Sequence, residues 1–228
     1  MIAENLAAIQ ARIHEAALRV NRDPEQIRIV AAAKTQSAEK VREAINDGIR
    51  IIGHNYVQEA EAQALIKDET RVEFHMIGHL QKNKAGKAVS LFDVVETVDN
   101  EKLASALDRR AGGEGRVVGV MIQVNLAGEP QKSGVESVVI EQLINAVRDM
   151  PHLKLRGLMT MPPFFDQPER ARPYFAQLRE LRDQLIDSGL LAPDMNELSM
   201  GMTGDFEVAV EEGSTLVRIG TALFGPRI

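Results

Sequence analysis

Short apolar runs alternate with longer stretches of helical spacing along the whole chain. Eight such runs stand out, at residues 27–33, 49–52, 74–77, 94–98, 117–125, 155–160, 197–200 and 216–219. Most are apolar throughout and do not alternate, which is the pattern of parallel strands covered on both faces. Between them, residues 38–47, 57–66, 80–89, 101–110, 137–148 and 168–188 repeat apolar side chains three and four apart, as helices with one buried face do. Strand then helix, eight times over, predicts an α/β fold closed into a (β/α)8 TIM barrel. An open doubly wound sheet shares the alternation. The count of eight favours closure, and the first strand–helix junction lacks the G-x-G-x-x-G of a dinucleotide crevice.

Composition narrows the class further. A chain of 228 residues with 44% hydrophobic and 26% charged residues can build a sizeable core, and no linker or low-complexity tract divides it, so one domain over residues 1–228 is expected. The glycines at 112, 113 and 115 fit a short loop between helix and strand. A net charge of -6 without a basic patch argues against nucleic acid as a partner. The absence of cysteine excludes disulfides and thiolate metal sites and is compatible with a reducing cytosol. The N-terminal stretch alternates polar and apolar residues at helical spacing, unlike a signal peptide or membrane span, so a cytoplasmic protein without a membrane partner is expected.

In such a barrel, chemistry collects where strands end. The first run ends at Lys34, one ammonium group after an apolar strand. It is either a solvated lysine or an amine that can form a Schiff base with an aldehyde. The last two strands are each followed by a small, donor-rich turn, NELSMGMTGDF and TLVRIGTALFG. Ser199 offers a hydroxyl, Gly201 lets the backbone approach closely, and Thr203 reads as the N-cap of a helix starting near Gly204. Gly220 and Thr221 supply the same ingredients after strand eight, and the paired turns read as a phosphate cup. Arg218, on the last strand, points either at a ligand in the mouth or at an inward acid such as Glu96. His75 and His79 have no third ligand at recognisable spacing, so no metal site is expected.

The blocks AAAKT, GHNYVQEA, FHMIGHLQKNK, IQVNLAGEPQKSG, GLMTMPP and LSMGMTGDFEVAVEEGSTLVRIGTALFG run nearly end to end. In this order they resemble the pyridoxal phosphate homeostasis proteins, also called the proline synthetase co-transcribed family, relatives of the alanine racemase barrel. The resemblance implies a fold-type III pyridoxal 5'-phosphate barrel without the racemases' second β domain. It implies that Lys34 carries the cofactor as a Schiff base, that Ser199, Gly201, Met202, Thr203, Gly220 and Thr221 surround the phosphate, that Arg218 faces the pyridine nitrogen, and that Asn55 lines the ring pocket. Three departures are visible: His54 stands where the family has glutamate, Ala32 and Ala33 replace Val-Ser before the lysine, and Thr203 replaces serine.

A permanently charged arginine at the ring nitrogen discourages its protonation and weakens the ring as an electron sink. Racemases of the related barrel draw their other acid/base, a tyrosine, from a second domain and a partner subunit. Here the only tyrosines are Tyr56 and Tyr174, the latter expected to start the helix after strand six, and the chain ends just after the barrel. The expectation is therefore a monomeric, non-catalytic protein of intracellular cofactor homeostasis, capturing pyridoxal phosphate on Lys34 and releasing it to apoenzymes, with effects on amino-acid balance. The alternative is a pyridoxal-phosphate-dependent amino-acid racemase using Lys34. Lys132 reads as a solvated loop lysine or as a second amine receiving the cofactor by transimination.

Overall fold

We describe residues 1–128, 133–136 and 139–226 in a computed structural model, where the eight apolar runs form eight parallel strands closed in chain order into one barrel. The strands are β1 (Arg28–Ala32), β2 (Ile51–His54), β3 (Glu73–Met76), β4 (Val94–Val98), β5 (Val118–Gln123), β6 (Leu153–Met159), β7 (Glu197–Met202) and β8 (Leu216–Ile219). Val30 of β1 closes the ring, standing opposite Ile51 of β2 on one side and Arg218 of β8 on the other. Outside lie α1 (Ile2–Arg19), α2 (Ala38–Asn46), α3 (Val57–Ala62), α4 (Ala64–Thr70), α5 (Ala85–Leu91), α6 (Glu101–Gly113), α7 (Ile140–Arg148), α8 (Arg172–Asp187), α9 (Phe206–Glu211) and α10 (Thr221–Phe224). None of these helices is long and apolar enough to cross a membrane.

The strands match their expected positions closely, but several helices differ. The stretch expected as one helix over 57–66 is α3 and α4, broken at Gln63, whose Nε2 donates to the Gln36 carbonyl at 3.2 Å. The helix expected from 80 begins at Ala85, after a 3-10 turn at Lys82–Lys84. The one expected from 168 likewise begins at Arg172, after a 3-10 turn at Pro168–Ala171. Gly112 and Gly113 belong to the last turn of α6, not to a loop.

Each strand sends alternate side chains to opposite faces. The faces bury two separate cores. Val30, Ile51, Ile77, Val94, Met121, Met159 and Leu216 fill the barrel interior, with Ala32 beside them. A larger core, including Ala31, Ile52, Phe74, Val95, Ile122, Leu198 and Val217, lies between the strands and the helices.

The helix after β8 has only four residues, and α1 packs against it and against α9. Ile2, Leu6, Ile9 and Ile13 repeat at helical spacing and are buried on this face. Polar contacts fix the rotation of α1. Arg12 grips Glu207 with both arms of its fork at 2.9 and 2.8 Å, Arg19 reaches Glu211 at 2.7 Å, and Asn5 Nδ2 donates to the Leu223 carbonyl at 2.9 Å. Burial, more than these exposed ion pairs, holds α1 in place. We expect Ile9→Ala to cost about 2–4 kcal/mol in urea unfolding and Arg12→Ala under about 1 kcal/mol.

Candidate functional site

The barrel interior is half ionic. At the strand starts, Arg28 Nη2 and Arg156 Nη2 both donate to Glu197 Oε1, at 2.6 and 2.7 Å, and Arg156 Nη1 reaches Glu73 at 3.4 Å. One step up, buried His75 stands between Glu73 Oε2, at 3.1 Å from Nε2, and Glu96 Oε1, at 2.6 Å from Nδ1. Glu96 Oε2 accepts the Ser199 hydroxyl at 2.5 Å, and the Ser199 oxygen accepts Arg218 Nη1 at 2.6 Å. Arg218 Nη2 donates to the Thr160 carbonyl at 2.8 Å.

Carboxylates on both ring nitrogens favour an imidazolium, and the protonation states follow. Burial pulls the His75 pKa down, but Glu73 and Glu96 outweigh it and raise it above the usual histidine value. Burial pushes Glu96 up, yet His75, Arg218 and Ser199 hold it below the usual carboxylate range. Hydrogen bonding to His75 takes Glu73 down to about 2, against its partial burial.

Above this column opens a cavity of about 330 Å³, which Lys34, Asn55, Met202, Thr203, Arg218, Gly220 and Thr221 help to line. Its volume lies at the lower end of the range for small-molecule sites. Parity explains Lys34: it continues the inward series of Val30 and Ala32 beyond the end of β1. Thr35 follows it at φ 62, a left-handed turn unusual for a β-branched residue. The Lys34 Nζ lies 5.6 Å from the centre of the Tyr56 ring.

The amides of Thr203, Gly204, Gly220 and Thr221 donate to no acceptor among the described residues, and all four residues line the cavity. Asp205, also on the wall, pins its loop by accepting the Met202 amide at 2.6 Å, and burial pushes its pKa up. Asn55 is held from behind, since a Cβ on Gly78 would meet its carbonyl at 2.3 Å.

Not every expected residue lines the cavity. Ser199 does not line the cavity; its hydroxyl is used between Glu96 and Arg218. Gly201 does not line it either. Its φ of +90 and the 2.5 Å from its Cβ position to Ala209 make its freedom serve the packing of α9. Thr203 is not a helix cap: Asp205 precedes α9, and the Thr203 hydroxyl accepts the Ala222 amide at 3.4 Å, tying the two turns together. Arg218 both touches the cavity and meets Glu96, through Ser199. His75 is committed to carboxylates, His79 Nδ1 lies 3.1 Å from the Ser133 hydroxyl, and no metal-binding cluster occurs among the described residues. Lys132 lies outside the described residues.

Sequence reasoning missed Gln36, Ile77, Phe164, Phe165, Asp205 and Gly225 on the cavity wall. Asp205 had a signal, as the acid in the TGDF turn; the others had none, because their positions depend on how loops fold over the mouth. Phe165 is stacked 5.9 Å from Tyr174, in the first turn of α8 as expected, whereas Phe164 is 82% exposed.

A closed parallel barrel whose first strand delivers a lysine beside two donor-rich turns defines a class, the alanine racemase N-terminal domain, and the profile of that family matches residues 5–227. The chain is 41% identical to the pyridoxal phosphate homeostasis protein of Pseudomonas aeruginosa over 99% of its own length and 96% of that protein's. It is 40% identical to the protein of the same name from Aquifex aeolicus, over 98% and 97%. The chain belongs to the family of the pyridoxal phosphate homeostasis proteins. Among solved structures, PipY of Synechococcus elongatus with PLP bound superposes with a TM-score of 0.85 at 35% identity, covering 99% of this chain and all of that one.

His54, the departure at the end of β2, faces away from the cavity. It is fully buried with its ring centre 4.7 Å from that of Phe74 and 6.1 Å from that of Phe92, and neither ring nitrogen has a partner among the described residues. Burial lowers its pKa to about 4. The unfolded chain takes up this proton first, so its effect on stability is absent above pH ~6.5, grows as pH falls, and levels off below about 4. We expect the wild type to lose about 3 kcal/mol relative to His54→Leu across that window, read from urea unfolding at each pH.

Proposed function

We propose that this protein holds pyridoxal 5'-phosphate at the barrel mouth on Lys34 and serves cofactor homeostasis, giving the cofactor up to apoenzymes without running a dedicated reaction. One observation carries the reading: a single lysine amine shares a cavity with four unengaged amides on paired turns and with a buried guanidinium. That donor set suits a ligand with an anionic group at one end and an amine-reactive carbon elsewhere. When bound, the cofactor supplies an aldehyde that captures primary amines and a ring that accepts electrons.

The residues divide the work. Thr203, Gly204, Gly220 and Thr221 would hold the phosphate, Lys34 the aldehyde carbon, and Arg218 a permanent positive charge beside the ring. Asn55 and Met202 would bound the ring, while Ile77 and Phe165 would keep water from the Lys34 end of the cavity. Ser199 and Gly201 support these groups from outside the cavity. We further read residues 1–228 as one domain acting as a cytoplasmic monomer.

Catalysis with two bases would need a second titratable group. Among the described lining residues the titratable side chains are Lys34, Asp205 and Arg218, and Asp205 is bound to the Met202 amide. Tyr174 is outside the lining, stacked on Phe165, and Tyr56, also outside the lining, is exposed with its ring centre 5.6 Å from Lys34 Nζ. This favours the carrier over an amino-acid racemase.

Visible absorption of the protein supplied with pyridoxal phosphate tests the reading. A lysine-bound chromophore that borohydride traps, absent in Lys34→Ala, is expected, with no sustained exchange of amino-acid α-protons. Rapid exchange lost in Lys34→Ala would replace the carrier with a racemase. No chromophore at all would sink the cofactor reading. Gly204→Pro, which removes one of the four amides, should weaken retention roughly tenfold, the cost of one hydrogen bond to a charged group, and Thr221→Val, which keeps its amide, should weaken it less.

A further inference from the structure

We propose that Ser199 and Glu96, neither of which lines the cavity, are positioning residues that fix the Arg218 guanidinium at the cavity floor and balance its charge from behind. The proposal rests on the cofactor reading above.

The geometry leaves Arg218 little freedom. It is 4% exposed, with Nη1 held by the Ser199 oxygen at 2.6 Å and Nη2 by the Thr160 carbonyl at 2.8 Å, and Thr160 is itself tied by its hydroxyl to the Val124 carbonyl at 2.9 Å. Two neutral oxygens orient a guanidinium but do not neutralise it. The anion is Glu96, and Ser199 is the link. A serine hydroxyl has one proton and two lone pairs, so with its proton given to Glu96 at 2.5 Å it meets Arg218 as an acceptor. Serine here therefore sets both the direction of the fork and the sign of what it meets.

Glu96 has its own constraint. Its other oxygen is held by His75 at 2.6 Å, whose far nitrogen meets Glu73, so Glu96 has no open space into which to swing. The second carboxylate near Arg218, Asp205, is taken by the Met202 amide. The charged groups facing this network are Glu73 and His75 of β3, Glu96 of β4, Arg156 of β6, Asp205 after β7, and Arg218 of β8. Loss of the serine hydroxyl releases Nη1 and the link to Glu96, leaving only the Thr160 carbonyl on the fork, while the cavity wall stays intact.

The test uses the full-length protein, first without cofactor. Arg218 Nη signals in nitrogen NMR, assigned by their loss in Arg218→Lys, should show slow rotation in the wild type and should average in Ser199→Ala. Supplied with pyridoxal phosphate, Ser199→Ala should still form the lysine-bound chromophore, with a shifted absorption maximum and retention weakened roughly tenfold, as for one lost charged hydrogen bond. If Ser199→Ala does not fold, Glu96→Gln, which keeps the shape and removes the charge, is read in the same way. Unchanged Arg218 signals in the folded variant would overturn the proposal while leaving the cofactor reading intact. A wild type that forms no chromophore, yet whose Arg218 signals depend on Ser199, would fail the cofactor reading and keep the positioning role.

Discussion

The fold depends on a column of alternating charge inside the barrel. Arg28, Glu197, Arg156, Glu73, His75, Glu96 and Arg218 succeed one another by hydrogen bonds, with Ser199 as the one neutral relay. Buried charge is expensive, and a pair removed from water recovers the cost only when every proton and lone pair finds a partner. The alternation provides most of this, since each carboxylate touches two donors and the central imidazole touches two acceptors, while Glu197 Oε2 stays buried without a partner among the described residues. It also links β1, β3, β4, β6, β7 and β8, so strand register is specified by charge as well as by apolar packing. A register slip of one residue would expose each ion to the apolar outer core.

The column also explains why the mouth has its chemistry. Its top member, Arg218, belongs both to the barrel interior and to the cavity wall. The protein's own Ser199 oxygen and Thr160 carbonyl hold its guanidinium by hydrogen bonds, and preorganisation of that kind lowers the entropy cost of binding. Around it, one wall is made of small turns with unengaged amides and the other of apolar side chains. The apolar rim is unevenly anchored: Phe165 is held between Tyr174 and Arg170, its ring centre 5.0 Å below the Arg170 guanidinium, while Phe164 faces solvent.

His54 and Asn55 show how little separates scaffold from site. They are neighbours at the end of β2, yet the pleat sends His54 out between two phenylalanines and Asn55 to the cavity. The glutamate that the resemblance led us to expect at position 54 would meet the same aromatic wall, and here a neutral imidazole meets it. Local charge at the mouth is therefore untouched by this departure.

The eight strands, their parallel order and the lysine at the end of the first were legible in the chain alone, because apolar runs and turn residues are local signals whose meaning does not depend on distant contacts. The chain also marked Arg218 and the two glycine-containing turns as notable. Folding alone brings the Ser199 hydroxyl onto Arg218 outside the cavity lining, sets Gly201 against α9, and lays α1 over the short last helix. It also joined His75 to Glu96. These facts rest on residues far apart in sequence meeting across a closed ring, and the pairing of strand ends that brings them together is set by closure and packing, which no local pattern records.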